Sequence, residues 1–201
     1  MMDAPEANLP VADAAGGASD HDLVIGRYGL EAITVGTNFV TPATGVPMSV
    51  SLNAAGVRVW MNRNMAFNAD LAFALGSSKT EGPGGMDNPT YFGIGPAGGV
   101  TFLLGLWKHL AVSASPQAGL VYFTPGGDNA KSVVLFNLRA QMEAELQLGW
   151  IGAPALSLAF TTGLNFNFVS VSDTASAWQL AMQGPTGFWS AITGAAIRFY
   201  M

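Results

Sequence analysis

The 201-residue sequence is short of charge: eight Lys and Arg and thirteen Asp and Glu make up 10% of it, against roughly 25% in a soluble domain. Half of the chain is hydrophobic, so that deficit excludes an ordinary water-facing surface. Basic residues are the scarcer sign. A net charge of -5, a pI near 4.7 and the absence of any basic stretch speak against nucleic acid as a partner. Cysteine is missing altogether, which by itself decides nothing. Histidine occurs twice, as His21 and His109, and neither falls on a strand face with a Ser two residues away. Nucleophilic hydrolysis, which needs a base oriented beside a Ser, therefore has no candidate. Metal-ligand clusters, phosphate-cradling loops and nucleotide fingerprints are absent too. No catalytic, cofactor or metal site is expected, and the chain does not read as an enzyme.

What is present is alternation. Val134 to Leu148 places Val134, Phe136, Leu138, Ala140, Met142, Ala144, Leu146 and Leu148 on one side of an extended chain, because successive strand side chains point to opposite faces. Asn137, Arg139, Gln141, Glu143, Glu145 and Gln147 fall on the other. On a helical period the apolar set would be smeared around the cylinder. The strand is long for a globular sheet, where about 5 or 6 residues is usual, and that length points to a membrane-spanning barrel.

The uncharged stretch Leu146 to Ser172 raises the alternative of a membrane-spanning helix. Gly149, Gly152, Pro154, Gly163, Asn165 and Asn167 interrupt it, and Leu156, Leu158, Phe160, Leu164, Phe166 and Phe168 again alternate. Residues 1–23 are expected to form a flexible acidic tail, with neither the basic n-region nor the apolar h-region of a signal peptide. A signal for export is expected to have been removed.

Runs of alternation bounded by Gly, Pro, Asn, Asp and Ser clusters give eight strands near 24–37, 48–61, 65–76, 91–106, 110–123, 133–149, 155–169 and 187–201. The second changes register, with Val50, Leu52 and Ala54 on one face and Val57, Val59 and Met61 on the other, which predicts a bulge near Ala55-Gly56. In the third to seventh strands the apolar register holds no charge. Short turns at Asn62–Asn64, Trp107–His109 and Trp150–Pro154 alternate with longer connections at 38–47, 77–90, 124–132 and 170–186, which puts both termini on the short-turn side. Trp60, Trp107, Trp150, Tyr28 and Tyr200 near that end, and Tyr91, Tyr122, Trp178 and Trp189 near the other, suggest two aromatic girdles. The expected fold is all-β: an eight-stranded antiparallel up-and-down transmembrane β-barrel over residues 24–201.

Assigned to the lumen are Arg27, Arg58, Arg139 and Arg198 against Glu31, Asp70, Glu143 and Glu145, a balanced set concentrated toward the short-turn end. Side chains from opposite walls meet in so narrow a barrel, and buried charges persist only when paired. An ion-pair plug is the expectation, with a gated polar pathway or acid–base chemistry at Glu143 and Glu145 as alternatives. Beyond the plug the inward register reads Ala72, Ala74, Gly93, Gly95, Ala97, Gly119, Val121, Gly163, Asn165 and Asn167. These small residues either line an outer vestibule, with Gly95, Gly163 and the amides of Asn137, Asn165 and Asn167 orienting a guest, or mark tight packing.

The architecture and the ending Gly194-Ala-Ala-Ile-Arg-Phe-Tyr-Met201 resemble the small eight-stranded outer-membrane β-barrel proteins of Gram-negative bacteria, the group of OmpA-type transmembrane domains, OmpX and OmpW. The resemblance covers about residues 24–201. The last strand is similar to the one that the family's assembly machinery reads, but it finishes in Met201 rather than Phe or Trp. The resemblance implies a place in the bacterial outer membrane with periplasmic termini. It implies as partners the membrane's lipids and lipopolysaccharide, with the barrel-assembly machinery during biogenesis. Two roles follow as expectations: a binder or passage for small apolar molecules, or a structural and surface-interaction barrel.

Overall fold

The computed structural model describes residues 19–40, 47–76, 91–125, 131–172, 175–182 and 194–201. Nine antiparallel strands follow a short 3-10 helix, Asp20–Leu23: β1 (Tyr28–Val40), β2 (Pro47–Asn62), β3 (Met65–Gly76), β4 (Tyr91–Leu106), β5 (Leu110–Pro125), β6 (Val133–Leu148), β7 (Ala153–Val171), β8 (Ala175–Met182) and β9 (Gly194–Tyr200). Each of β1 to β7 pairs with the next, and β9 bridges β7 and β1. That closure makes an eight-stranded barrel.

The expected fold class is correct, and one strand is additional. β8 lies within what the sequence suggests is a loop, and it pairs with β7 outside the closed wall. The two last strands divide one edge of β7 between them. β9 takes Leu156–Thr161 and β8 takes Leu164–Val171. Among the described residues the last strand of the wall spans Gly194–Tyr200, and the expected start at residue 187 lies outside them. The first strand begins at Tyr28, not at residue 24.

Alternation in burial is clearest in β3, β6, β7 and β9. Along β6 and β7 one residue is buried and the next exposed over most of their length, as a two-faced wall requires. The expected bulge at Ala55-Gly56 is absent, and pairing runs unbroken through both residues. Leu52 and Ala54 belong to the same inward face as Arg58, and Val57 and Val59 face outward. The change of register in the sequence instead records a change in the lumen, which is apolar around Leu52 and Ala54 and ionic around Arg58. The real irregularities lie between Trp60 and Asn62, between Leu103 and Gly105, and between Gln147 and Leu148. The second turns Leu106 inward, where it is buried, although simple alternation puts it on the outer face.

Two of the aromatics assigned to girdles also face inward. Trp60 and Tyr200 are each 1% exposed, whereas Tyr28, Trp107, Trp150, Tyr122 and Trp178 are exposed. Trp60 and Tyr200 continue the lumenal registers of Arg58 and Arg198 and have no choice of side. Trp189 lies outside the described residues, and so does most of the longer connections.

Candidate functional site

The lumen is layered. At the short-turn end Val24, Trp60, Ala66, Leu103, Leu106, Ala111 and Tyr200 form an apolar floor. At the opposite end Ala72, Ala74, Val121, Phe123, Leu135 and Val169 form a second apolar cluster, with Leu52, Ala54 and Val133 against it. Ionised side chains are held between the two.

At the centre of that layer is Glu143. Arg58 grips it with Nη1 at 2.5 Å and Nη2 at 3.1 Å, and Arg198 does so with Nη1 at 3.1 Å and Nη2 at 2.6 Å. Glu145 lies beside it, 3.3 Å from Arg58 and 3.2 Å from Arg198. Its other oxygen accepts from Tyr200 at 2.8 Å and Ser157 at 2.6 Å. The remaining nitrogens are used as well: Arg58 Nε donates to Asn68 Oδ1 at 2.7 Å and Arg198 Nε to Glu31 Oε2 at 2.6 Å. Asn68 passes the network on to Thr101, which meets Ser115. Forked guanidinium–carboxylate pairs are the strong kind of charged hydrogen bond, and nearly every polar atom is satisfied, as burial demands.

Of the eight charges assigned to the lumen, the structure brings together Glu31, Arg58, Glu143, Glu145 and Arg198 in contact. Among the described residues Asp70 makes no ion pair with that cluster but lies beside Glu31 across Gly56, and with Arg139, Asn137, Gln141 and Thr161 among others it lines a small cavity of about 40 Å³. Arg27 is not in the lumen. It precedes β1, is exposed, and donates its backbone N–H to Val24 O, because the wall begins only at Tyr28, four residues later than expected. Three lumenal guanidiniums thus face four carboxylates.

The residues proposed to line a vestibule are packed closely. A side chain at Gly93 would meet the Phe123 ring, at Gly95 the Leu120 carbonyl, and at Gly163 the Ala140 carbonyl. Asn137 donates to Asn167 at 2.5 Å, and Asn165 and Asn167 are buried.

Absent from the sequence reading is a cap on the short-turn mouth. Ser19–Arg27 crosses that opening and touches all three short turns. Asp20 N–H donates to Lys108 O, Gly26 N–H to Trp60 O, and Asp20 Oδ2 lies 2.7 Å from His109 Nδ1. Asp20 also packs on Gly149, where a Cβ would overlap its carboxylate. Asp22 pairs with Arg63 at 3.2 Å. His21 is fully buried, edge-on to Trp60 at 4.3 Å between ring centres, with Nε2 3.0 Å from Arg63 O. Burial holds the His21 imidazole below its ordinary pKa, against the hydrogen bond to Arg63 and the nearby Glu145 and Asp22 charges. Burial works the opposite way on Asp22, but the Ser19 hydroxyl and N–H, both bonded to its carboxylate, bring that group below the usual value with help from Arg63. The signal that marks this segment is Ser19 three residues before Asp22, a helix-capping pattern.

On the outer wall the described strand residues carry no charge. Leu30, Phe67, Leu71, Phe92, Ile94, Phe102, Leu120, Phe136, Leu138, Phe160, Leu164, Phe168, Ile197 and Phe199 are all exposed there. No helix among the described residues is long and apolar enough to cross a membrane, and no group of His, Cys, Asp and Glu among them is placed to hold a metal ion.

No family model matches the sequence, and no curated protein does. Among solved structures the chain is similar to a major outer membrane protein from Thermus thermophilus, at 13% identity over 86% of this chain and 98% of that one, with a TM-score of 0.36. So loose a superposition carries no weight in assigning a function.

Proposed function

We propose that the chain is a non-enzymatic barrel of the bacterial outer membrane with a sealed lumen, acting as a structural and surface-interaction element. The carrying observation is the layered filling of the barrel: an apolar cluster, an ion-pair network and a second apolar cluster. Between them the lumenal cavity measures about 40 Å³, whereas small-molecule sites usually have about 300–1,000 Å³. The same filling disfavours the reading as a passage for small apolar molecules. An uncharged outer face of exposed Phe, Leu and Ile supports a lipid environment, since a contiguous apolar surface of that extent is unfavourable in water. Pairing of β9 with both β7 and β1 closes the wall, as a sheet that spans a bilayer requires. On this reading the membrane's lipids and lipopolysaccharide contact the wall, and the assembly machinery engages the last strand.

Two measurements test the proposal. In planar bilayers the protein is expected to give no steady ionic current, and proteoliposomes containing it are expected to take up small apolar probes no faster than empty vesicles. A large stable conductance, or probe uptake that depends on the folded barrel, would overturn the sealed-lumen reading.

A further inference from the structure

We propose that Glu31 and Asp70 together hold one proton inside the barrel, as a buried single-proton site. The two residues share a cross-strand row: Glu31 pairs with Gly56 on β2, and Gly56 with Asp70 on β3. Gly56 has no side chain to keep them apart, and a Cβ at that position would occupy the space of the Asp70 carboxylate. The two carboxyl groups therefore meet over the glycine. Both are withdrawn from water, at 4% and 8% exposure.

The donors run out at this contact. Glu31 Oε2 accepts from Arg198, but Glu31 Oε1 and Asp70 Oδ1 have no donor at all. Ionised carboxylates only accept, so two of them facing each other cannot satisfy those oxygens. One proton supplies the missing donor and removes the repulsion, as in other carboxyl pairs brought this close.

The charge count points the same way. Among the described residues the lumen holds three guanidiniums against four carboxylates. Arg58 and Arg198 are committed to the glutamates around Glu143, and Arg139 makes no ion pair with Asp70 among the described residues, its Nε lacking a partner. A bound alkali cation is the other way to supply one positive charge, but hard cations gather about six oxygens, and the next positions along the row are Ala97 and Gly119. The cavity beside Asp70 has room for about two or three waters, which gives the proton a hydrated neighbour for exchange.

The test is infrared spectroscopy of the folded barrel in lipid, combined with unfolding measured against pH. The groups facing the pair are Arg198 from β9, Arg58 from β2, and Arg139 and Glu143 from β6, and the arginines stay charged throughout. At neutral pH the unmodified protein should show the carbonyl stretch of a protonated carboxyl group, lost in Asp70→Asn, whose amide can donate to Glu31 in place of the proton. Folding then takes up one proton, so raising the pH from the unfolded carboxyl value, about 4, toward the pH at which the folded pair releases it should increase the unfolding equilibrium constant by up to about tenfold per pH unit. Asp70→Asn should flatten that slope relative to the unmodified protein. The difference isolates the pair, because the buried neutral His21 contributes in the opposite direction. Should Asp70→Asn fail to fold, the band and slope of the unmodified protein remain decisive. Absence of the protonated band, or stability that follows sodium or potassium concentration at constant ionic strength, would overturn the proposal.

Discussion

Glu143 is the residue on which the ionic layer turns, because it is the common acceptor of two guanidiniums whose other nitrogens are already placed on Asn68 and Glu31. Replacing it with Gln would leave Arg58 and Arg198 facing each other with one carboxylate, Glu145, between them. Breaking a buried pair by removing one partner costs about 3 to 5 kcal/mol. Glu143→Gln is therefore expected to lower the unfolding free energy of the barrel in detergent by about 3 to 5 kcal/mol, read as a lower urea midpoint, whereas Lys131→Gln, exposed just before β6, should leave the midpoint unchanged. Equal midpoints for the two would show that the network is hydrated rather than sealed. Of the eight charges that the sequence assigns to the lumen, five meet in one ion-pair cluster, because alternation fixes the face of a strand residue once its neighbours are placed. Which carboxylate meets which guanidinium could not be assigned. That depends on the stagger of β6 against β2 and β9 across the barrel, and no local pattern encodes it.

At the scale of elements, the segment Ser19–Arg27 closes the mouth that the floor of Trp60 and Tyr200 leaves open. Its stability should depend on pH with a definite sign. The His21 imidazole is held below its unfolded value by burial, so the folded segment binds fewer protons than the unfolded one. Its contribution is complete above the unfolded histidine value, about 6.5, and is lost as the pH falls from there toward the folded value. Asp22, also lowered, adds a loss of the same sign at more acidic pH. Hydrogen exchange across residues 19–27 should therefore accelerate on mild acidification while exchange in β6 and β7 stays slow, and His21→Phe should remove the step near neutrality. Exchange that is independent of pH, apart from its intrinsic chemistry, would contradict this reading of the cap. The segment is hard to see in the sequence because its composition reads as a tail and its contacts are to turns remote in the chain. β8 is hidden for a related reason, since the eight longer runs already complete a barrel and Ala175–Met182 is a short run in a region of turn-forming residues.

For the whole molecule, the sequence displays the wall more clearly than the interior. A barrel in lipid turns its apolar register outward along every strand, and that register survives as an uninterrupted period of two in β3 and β5 to β7. The interior obeys no single rule, being apolar at both ends and ionic between, and the switch between those layers appears in β2 as a false bulge. The outward register is also where a single charge tests the environment of the whole barrel. Leu138 faces out from the middle of β6, 43% exposed, between Ala118 of β5 and Phe166 of β7. In water an arginine there would extend into solvent at almost no cost, as most exposed substitutions do. At a bilayer midplane it costs about 2 to 4 kcal/mol. Leu138→Arg is accordingly expected to fold poorly into lipid vesicles, judged by heat-modifiable migration on a gel, and Leu158→Arg on the outward face of β7 should behave likewise. The expected loss scales with the thickness of the apolar phase, so both variants should recover most of their yield in short-chain detergent micelles. Full folding of both in lipid would mean that this face does not meet hydrocarbon, and with it the membrane reading of the barrel would fall.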